Sequence, residues 1–393
     1  MKNIVCALRA VLHAARRVAA LSALLAAVGA ALLVTAGCGA HRARWLTSYD
    51  DGLQAARAQD KHILLFLSAD EEPLSARIKA LVTADEAVRA LSERYVLVNL
   101  DFSRSRFDAA MNIPADASAD AVDAALSEQS ALVGNTKLSM YLGAQQNPAL
   151  YLLTKDGYPV CELLLGESVQ TLADISALLE AEAETVARYD ELVAAVASAS
   201  GAEKARAIDA VYEATPARSR YMVLPLCKQV PALDEANESA LVGKHLLAIA
   251  NGEASDAFLE QDVDKAAAAF TAVAENPLLT RGEVQEAYFT AAYLLAQGGS
   301  TDYEAMLALA QRSYDAAPES GHAEGVKAFI LQIKQQIALA REMQESVQIE
   351  EAAPNASGAD DGAGAGTPKA TLAPSASAAS PSAAQSAASS ASA

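Results

Sequence analysis

Ile63-Leu64-Leu65-Phe66-Leu67-Ser68-Ala69-Asp70-Glu71-Glu72-Pro73-Leu74-Ser75-Ala76-Arg77-Ile78 joins a continuous apolar run to a segment, Ser75 to Val82, of helical spacing. The run Ile63 to Leu67 does not alternate, which is the pattern of a strand covered on both faces. Upstream, Trp45 to Gln59 also has helical spacing, and downstream Val88 to Arg94 suggests a further turn or two. Tyr95-Val96-Leu97-Val98-Asn99-Leu100 is a second buried strand, closed by Asp101. A polar, Ala-rich stretch then runs to about Gly143. Ala149 to Leu153, Thr154-Lys155-Asp156-Gly157, then Tyr158 to Leu163 reads as strand, turn, strand, since Asp-Gly supplies the positive φ of a tight hairpin. Thr171 to Glu184 closes with a helix. This alternation predicts an α/β domain with a mixed sheet, flanked by helices, over 45–180.

From about Ala181 to residue 349 no strand pattern appears. Helical segments are punctuated by Gly201, Pro216, Pro231, Gly252, Pro277, Gly298-Gly299 and Pro318, which predicts an all-α domain. Ala266 to Pro277 and Ala308 to Pro318 share a shape: small residues, an aromatic ring, small residues again, then proline. Helical hairpins of the tetratricopeptide kind would give such repeats. Pro277 and Pro318 lie farther apart than the roughly 34-residue period of that kind, so an irregular bundle stands as the alternative. Residues 350–393 are almost wholly Ala, Ser, Gly and Pro with a little acid, a composition that cannot offset its ordering entropy and predicts a disordered tail.

The 393-residue chain carries 30 Lys+Arg against 49 Asp+Glu, a formal charge of −19. Such a surface repels phosphate backbones and anionic headgroups, so neither nucleic acid nor electrostatic membrane binding is expected. Positions 1–37 are the exception. Lys2, Arg9, Arg16 and Arg17 precede an uncharged Ala, Leu and Val run from Val18 to Ala36, the pattern of a signal peptide. It ends Val34-Thr35-Ala36-Gly37-Cys38, which resembles a bacterial lipobox, with Thr35 where Leu is usual. The resemblance implies lipid attachment at Cys38, a short tether over 38–44, and a location in the bacterial cell envelope facing the periplasm or cell exterior. An uncleaved apolar anchor is the alternative. Of the remaining thiols Cys6 lies in the signal, while Cys161 and Cys227 stand in no CxxC or metal-ligand spacing. Two buried free thiols are expected there, with a disulfide between them as the alternative.

The order of motifs from Trp45 to Gly166 resembles the thioredoxin-like modules of secreted and lipid-anchored bacterial proteins, including the C-terminal domain of membrane thiol:disulfide interchange proteins. In that family an opening Trp and an Ala-rich helix lead to a Lys, a buried strand and a loop bearing Cys-x-x-Cys. Here Asp70 and Ile78 keep the register, which puts Glu72 and Ser75 at the two cysteine positions. The strand end Val98 to Asp101 also matches, as does Asn147-Pro148-Ala149-Leu150, where the family has a cis proline ahead of a strand. Thiol–disulfide exchange needs an attacking thiolate and a resolving thiol, and neither Glu72 nor Ser75 supplies one. No catalytic residue is therefore expected there. Asn147, Pro148 and Ala149 are candidate peptide-binding residues, by backbone pairing with an extended partner; a purely local role in the turn is the alternative. The string Leu224 to Leu247 resembles a stretch of the helical extensions of such envelope proteins.

Other chemistries find no support in the residues. His13, His41, His62, His245 and His322 form no HExxH or paired spacing. Asp70-Glu71-Glu72 lacks the alternating ligands and glycine of a calcium loop, Ser75 has no Gly-x-Ser-x-Gly context, and there is no phosphate-binding glycine loop. No cofactor or metal is expected. The functional expectation is a non-catalytic envelope lipoprotein that binds a protein or peptide partner. Its competitors are a thiol–disulfide oxidoreductase or chaperone using Cys161 or Cys227, and an accessory protein to an envelope transporter.

Overall fold

The computed structural model describes residues 44–352 apart from Glu71, with side chains as far as residue 344. The signal, Cys38, the tether up to residue 43 and the tail from residue 353 lie outside the described residues. The described residues up to Ile337 form one compact unit.

The first half is built from α1 (Tyr49–Gln59), β1 (His62–Ser68), α2 (Pro73–Thr83), α3 (Asp85–Arg94), β2 (Tyr95–Asp101), α4 (Arg104–Met111), α5 (Ala119–Leu142), β3 (Ala149–Leu153), β4 (Pro159–Leu163) and α6 (Leu172–Ala181). The four strands lie in the order β2-β1-β3-β4. β1 runs parallel to β2, with His62 opposite Tyr95, and antiparallel to β3, with Leu67 opposite Ala149. β3 and β4 form the hairpin, in which Gly157 takes φ +86°. The mixed sheet is thus the one its sequence pattern describes.

Two segments differ from expectation. Trp45 and Leu46 are extended rather than helical. The Leu46 N–H donates to Leu97 O at 2.9 Å and Leu46 O accepts from Asn99 N–H at 2.8 Å, which adds a parallel bridge outside β2. A chain edge that can pair its main chain with β2 gains more there than from one more helical turn. The polar stretch before Gly143 holds two helices, α4 and α5. α5 buries only Leu132, Asn135, Leu138 and Leu142 of its 24 residues, too sparse a stripe to stand out against its Ala and Ser.

Alternation of side chains across the sheet divides its core in two. Leu64, Phe66, Leu97, Leu150 and Leu152 face α2, α3 and α6 through Ile78, Val82, Leu91, Ile175 and Leu179. Ile63, Leu65, Leu67, Val98 and Tyr151 face α1 and α5 through Ala56, Leu138 and Leu142. Every residue from Ile63 to Ser68 is buried, which is why β1 reads as an unbroken apolar run.

The second half is helical throughout: α7 (Ala183–Ser198), α8 (Gly201–Ala214), a 3₁₀ turn at Ala217–Val223, the short α9 (Leu224–Cys227) and α10 (Val230–Leu233), then α11 (Val242–Leu259), α12 (Val263–Ala274), α13 (Arg281–Gln297), α14 (Tyr303–Ala316) and α15 (Ala323–Ala352). The two similar strings fall on α12 and α14, the second members of two successive helix pairs. α15 runs two residues past Glu350, where the sequence pattern begins the tail.

The halves are joined by a shared core and a polar knot. Val160 of β4 is buried with Tyr189 and Val196 of α7, Ile208 of α8 and Cys227 of α9. Tyr141 of α5 stacks on Tyr221 of the 3₁₀ turn, ring centroids 3.7 Å apart. Both phenols donate to the Asp256 carboxylate of α11, and Lys137 pairs with it at 3.1 Å. Gly143, which ends α5 at φ +70°, is pressed against the Arg218 main chain, where a Cβ would come within 2.7 Å of Arg218 O. No helix of the described residues is long and apolar enough to cross a membrane.

Candidate functional site

Parallel pairing of β1 with β2 brings their C-terminal ends to one edge of the sheet, and antiparallel pairing brings the start of β3 to the same edge. Ser68 lies opposite Asp101, and Leu67 opposite Ala149. The loop from Ala69 to the start of α2, the end of β2 and the segment 147–149 therefore meet at a single pole. Ligands gather at such strand ends in open α/β sheets because loops of several strands converge there.

Pro73 starts α2 and Glu72 stands at its N-cap position, exposed, its side chain making no cap hydrogen bond. Ser75, one turn in, is fully buried, and its hydroxyl oxygen accepts the Ala69 N–H at 2.9 Å. The hydroxyl thus closes the loop onto the helix, and among the described residues its one hydrogen bond is to that backbone N–H. Lys79, one turn further, spans the pole, donating to Asp70 Oδ1 at 2.7 Å and Asp101 Oδ2 at 3.2 Å. Partial burial works against the Lys79 charge, but those two bonds outweigh it and hold its pKa above the usual lysine value. Burial likewise works against the Asp101 charge. The Ser103 N–H at 2.9 Å and Lys79 outweigh it, and the carboxyl stays below its usual range. The Asp101 carbonyl accepts from Arg106, which pairs with Glu128. Lys79 is thus spent on Asp70 and Asp101, and Arg106 on Glu128.

Of the candidate peptide-binding residues, Asn147 is half-buried and Pro148 and Ala149 are buried. The Asn147–Pro148 bond is cis, and Ala149 is already paired with Leu67. Among the described residues no hydrogen bond engages the Asn147 main chain. The Asn147 main chain is thus available for pairing at this pole.

The two thiols lie elsewhere. Cys161 is half-buried on β4, Cys227 is buried at the end of α9, and both are free. Burial pushes each up to about 12, with the Glu182 charge adding to the shift at Cys161 and the Asp209 charge at Cys227. A thiol of that pKa is ionised in only about one molecule in 10⁵ at neutral pH. Among the described residues no group of three or more His, Cys, Asp or Glu could hold a metal ion.

Sequence order alone brings Glu72, Ser75 and Asn147 to Ala149 to this pole, and the structure keeps them together there. Sequence order does not reveal Lys79 as the bridge between Asp70 and Asp101. The Asp at the end of β2 and a Lys on the next face of α2 are the only traces, and neither indicates the other.

Comparison with known proteins bears on the fold of two segments. Residues 44–160 match the family described as Thioredoxin-like, and residues 241–338 match one described as Uncharacterised protein C-terminal domain. An uncharacterized protein of Treponema pallidum (strain Nichols) is 28% identical over 134 residues, which cover 34% of this chain and 44% of that protein. The chain thus matches less than half the length of that relative. Among solved structures a DsbH oxidoreductase is 17% identical, with 37% of this chain and 88% of that one covered and a TM-score of 0.26.

Proposed function

We propose that residues 44–160, a thioredoxin-like domain, carry Glu72 and Ser75 where that fold has its redox pair, and that the chain is a non-catalytic binding protein of the cell envelope. It is held to the membrane by lipid on Cys38 and takes an extended peptide or protein segment at the pole around Asn147. The observation that carries this reading is the chemistry of the pole: a buried Ser75 hydroxyl tied to a backbone N–H, an exposed Glu72, and no thiol among the described residues there. Thioredoxin-like folds join two separable features, a nucleophile and a strand end that pairs with extended chains; loss of the first leaves the second. The free Asn147 main chain supports the second. The helical array from α11 to α15 adds a surface for the same partner.

A photo-crosslinking residue placed at Asn147 in intact cells tests this. It should capture a discrete adduct that the same residue at exposed Ser130, on α5, does not. Equal labelling from both positions, or none from either, contradicts the proposal.

A further inference from the structure

A second feature lies in the helical array, away from the pole. On α13, Glu286 and Tyr293 are exposed and Phe289 between them is half-buried, at the spacing that puts successive turns of a helix on one face. Phe329 of α15 lies across them. The Phe289 and Tyr293 rings are 6.2 Å apart and within 18° of parallel, while Phe329 stands 5.5 Å from Phe289 at 68° and 6.4 Å from Tyr293 at 54°. The three rings make a corner that opens to solvent at Tyr293, which is 37% exposed. Glu286 sits one turn before Phe289, and among the described residues no Lys or Arg pairs with it. Partial desolvation, then the charge of Glu283, hold its carboxyl above the usual glutamate value, with His322 working the other way.

Elsewhere the chain itself joins rings to carboxylates through a cation. Arg312 lies 4.2 Å from the centre of the Tyr288 ring and pairs with Glu275 at 2.5 Å. Lys327 lies 5.2 Å from the centre of Tyr314 and pairs with Glu324 at 2.7 Å. Arg220 lies 4.6 Å from the centre of Tyr212 and pairs with Glu213 at 2.6 Å. The corner of Phe289, Tyr293 and Phe329 has the rings and the carboxylate, but among the described residues no Lys or Arg stands over any of the three. We propose that an arginine or lysine side chain of an extended partner segment occupies it, with its stem on the rings and its charge toward Glu286. Ring faces and a carboxylate both attract that charge, and the alkyl stem covers the exposed ring surface. The formal charge of −19 favours approach of basic segments. An acidic or phosphorylated segment would meet Glu283 and Glu286, and a wholly apolar one would cover Glu286 without pairing it, which is costly. The proposal rests on the reading of the helical array as part of the binding surface, and does not depend on Asn147.

The probe is a nine-residue acetylated peptide amide with one central arginine among apolar residues and a neutral fluorophore, titrated with the full chain and followed by anisotropy. A second peptide replaces the arginine by citrulline, which keeps the shape and removes the charge. The arginine peptide should bind saturably and the citrulline peptide about tenfold or more weaker. Glu286→Gln removes the carboxylate charge and Tyr293→Leu the open ring. Each should weaken the arginine peptide about fivefold or more, and neither should lower the melting temperature appreciably, since Glu286 has no cation to lose and Tyr293 lies at the surface. Asp123→Asn, at an exposed acid of α5, should leave binding unchanged. No saturable binding, equal binding of the citrulline peptide, or a loss in Asp123→Asn as large as in Glu286→Gln overturns the proposal. Saturable binding that Glu286→Gln and Tyr293→Leu leave at full affinity also overturns it, while leaving the role of Asn147 standing. Loss of the Asn147 crosslink alone leaves this corner standing.

Discussion

The sheet and the α11–α15 array build their cores by opposite means. The sheet core is made of large aliphatic and aromatic side chains on strands covered from both sides: Leu64, Phe66, Leu97, Leu150 and Leu152 on one face, Ile63, Leu65 and Leu67 on the other. The helical array is cored largely by alanine, with Ala254, Ala257, Ala266, Ala287, Ala291 and Ala310 buried around Phe270, Tyr288 and Met306. Alanine lets helix backbones approach closely, so helical packing there depends on what is left out, whereas sheet packing depends on what is put in. Damage should follow the same division: truncation hurts the sheet, and enlargement hurts the array.

Phe66→Ala should be the most severe change, removing a fully buried ring between β2 and α2 at a cost of about 3–5 kcal/mol in denaturant unfolding. If it costs less than 1 kcal/mol, the two-faced burial of β1 is wrong. In the array the damaging direction reverses. Ala291→Leu, at a fully buried position of α13, should cost about 1–3 kcal/mol through overpacking, while the same change at exposed Ala131 of α5 should be near neutral. Both buried changes should move one shared transition, because the described residues to Ile337 are a single compact unit. The knot between the halves sharpens this. Asp256→Ala removes the acceptor of Tyr141 and Tyr221 and the partner of Lys137, and should cost about 1–2 kcal/mol and broaden the transition. A transition as sharp as the parent's would mean that the shared core around Val160 and Tyr189 suffices alone.

The smallest effect is at the pole and depends on pH. Asp101 has its pKa lowered in the folded state, so its contribution is fully present above the unfolded carboxylate value of about 3.9 and is lost as pH falls through the lowered folded value. Asp101→Asn should therefore shallow the acid limb of a stability–pH curve and leave its slope above pH 5 unchanged. An unchanged acid limb would show that Lys79 does not hold Asp101 as drawn.

The same contrast explains what was legible in the sequence. Large side chains leave a mark, so β1, β2 and the hairpin are readable to within a residue or two. Alanine is at home both buried and exposed, so the array shows as helical without showing which faces meet. α5 is invisible for that reason. Trp45 and Leu46 mislead because pairing with β2 is a tertiary gain that local spacing does not carry. At the pole, Glu72, Ser75 and Asn147 follow from the order of motifs along the chain. The Lys79 bridge does not, because it depends on atoms brought together from separate elements.

The central claim is that a thioredoxin-like fold here works without thiol chemistry, and the reactivity of the native thiols tests it most directly. The full chain, reduced and folded at pH 7, is treated with a maleimide and followed by mass against the same protein in denaturant. Cys161 and Cys227, with pKa values pushed up to about 12, should stay unlabelled over the time in which the denatured chain labels completely, with or without prior reductant. Rapid labelling of either in the folded protein, with an acidic pH midpoint, would contradict the account and return the protein to the oxidoreductases.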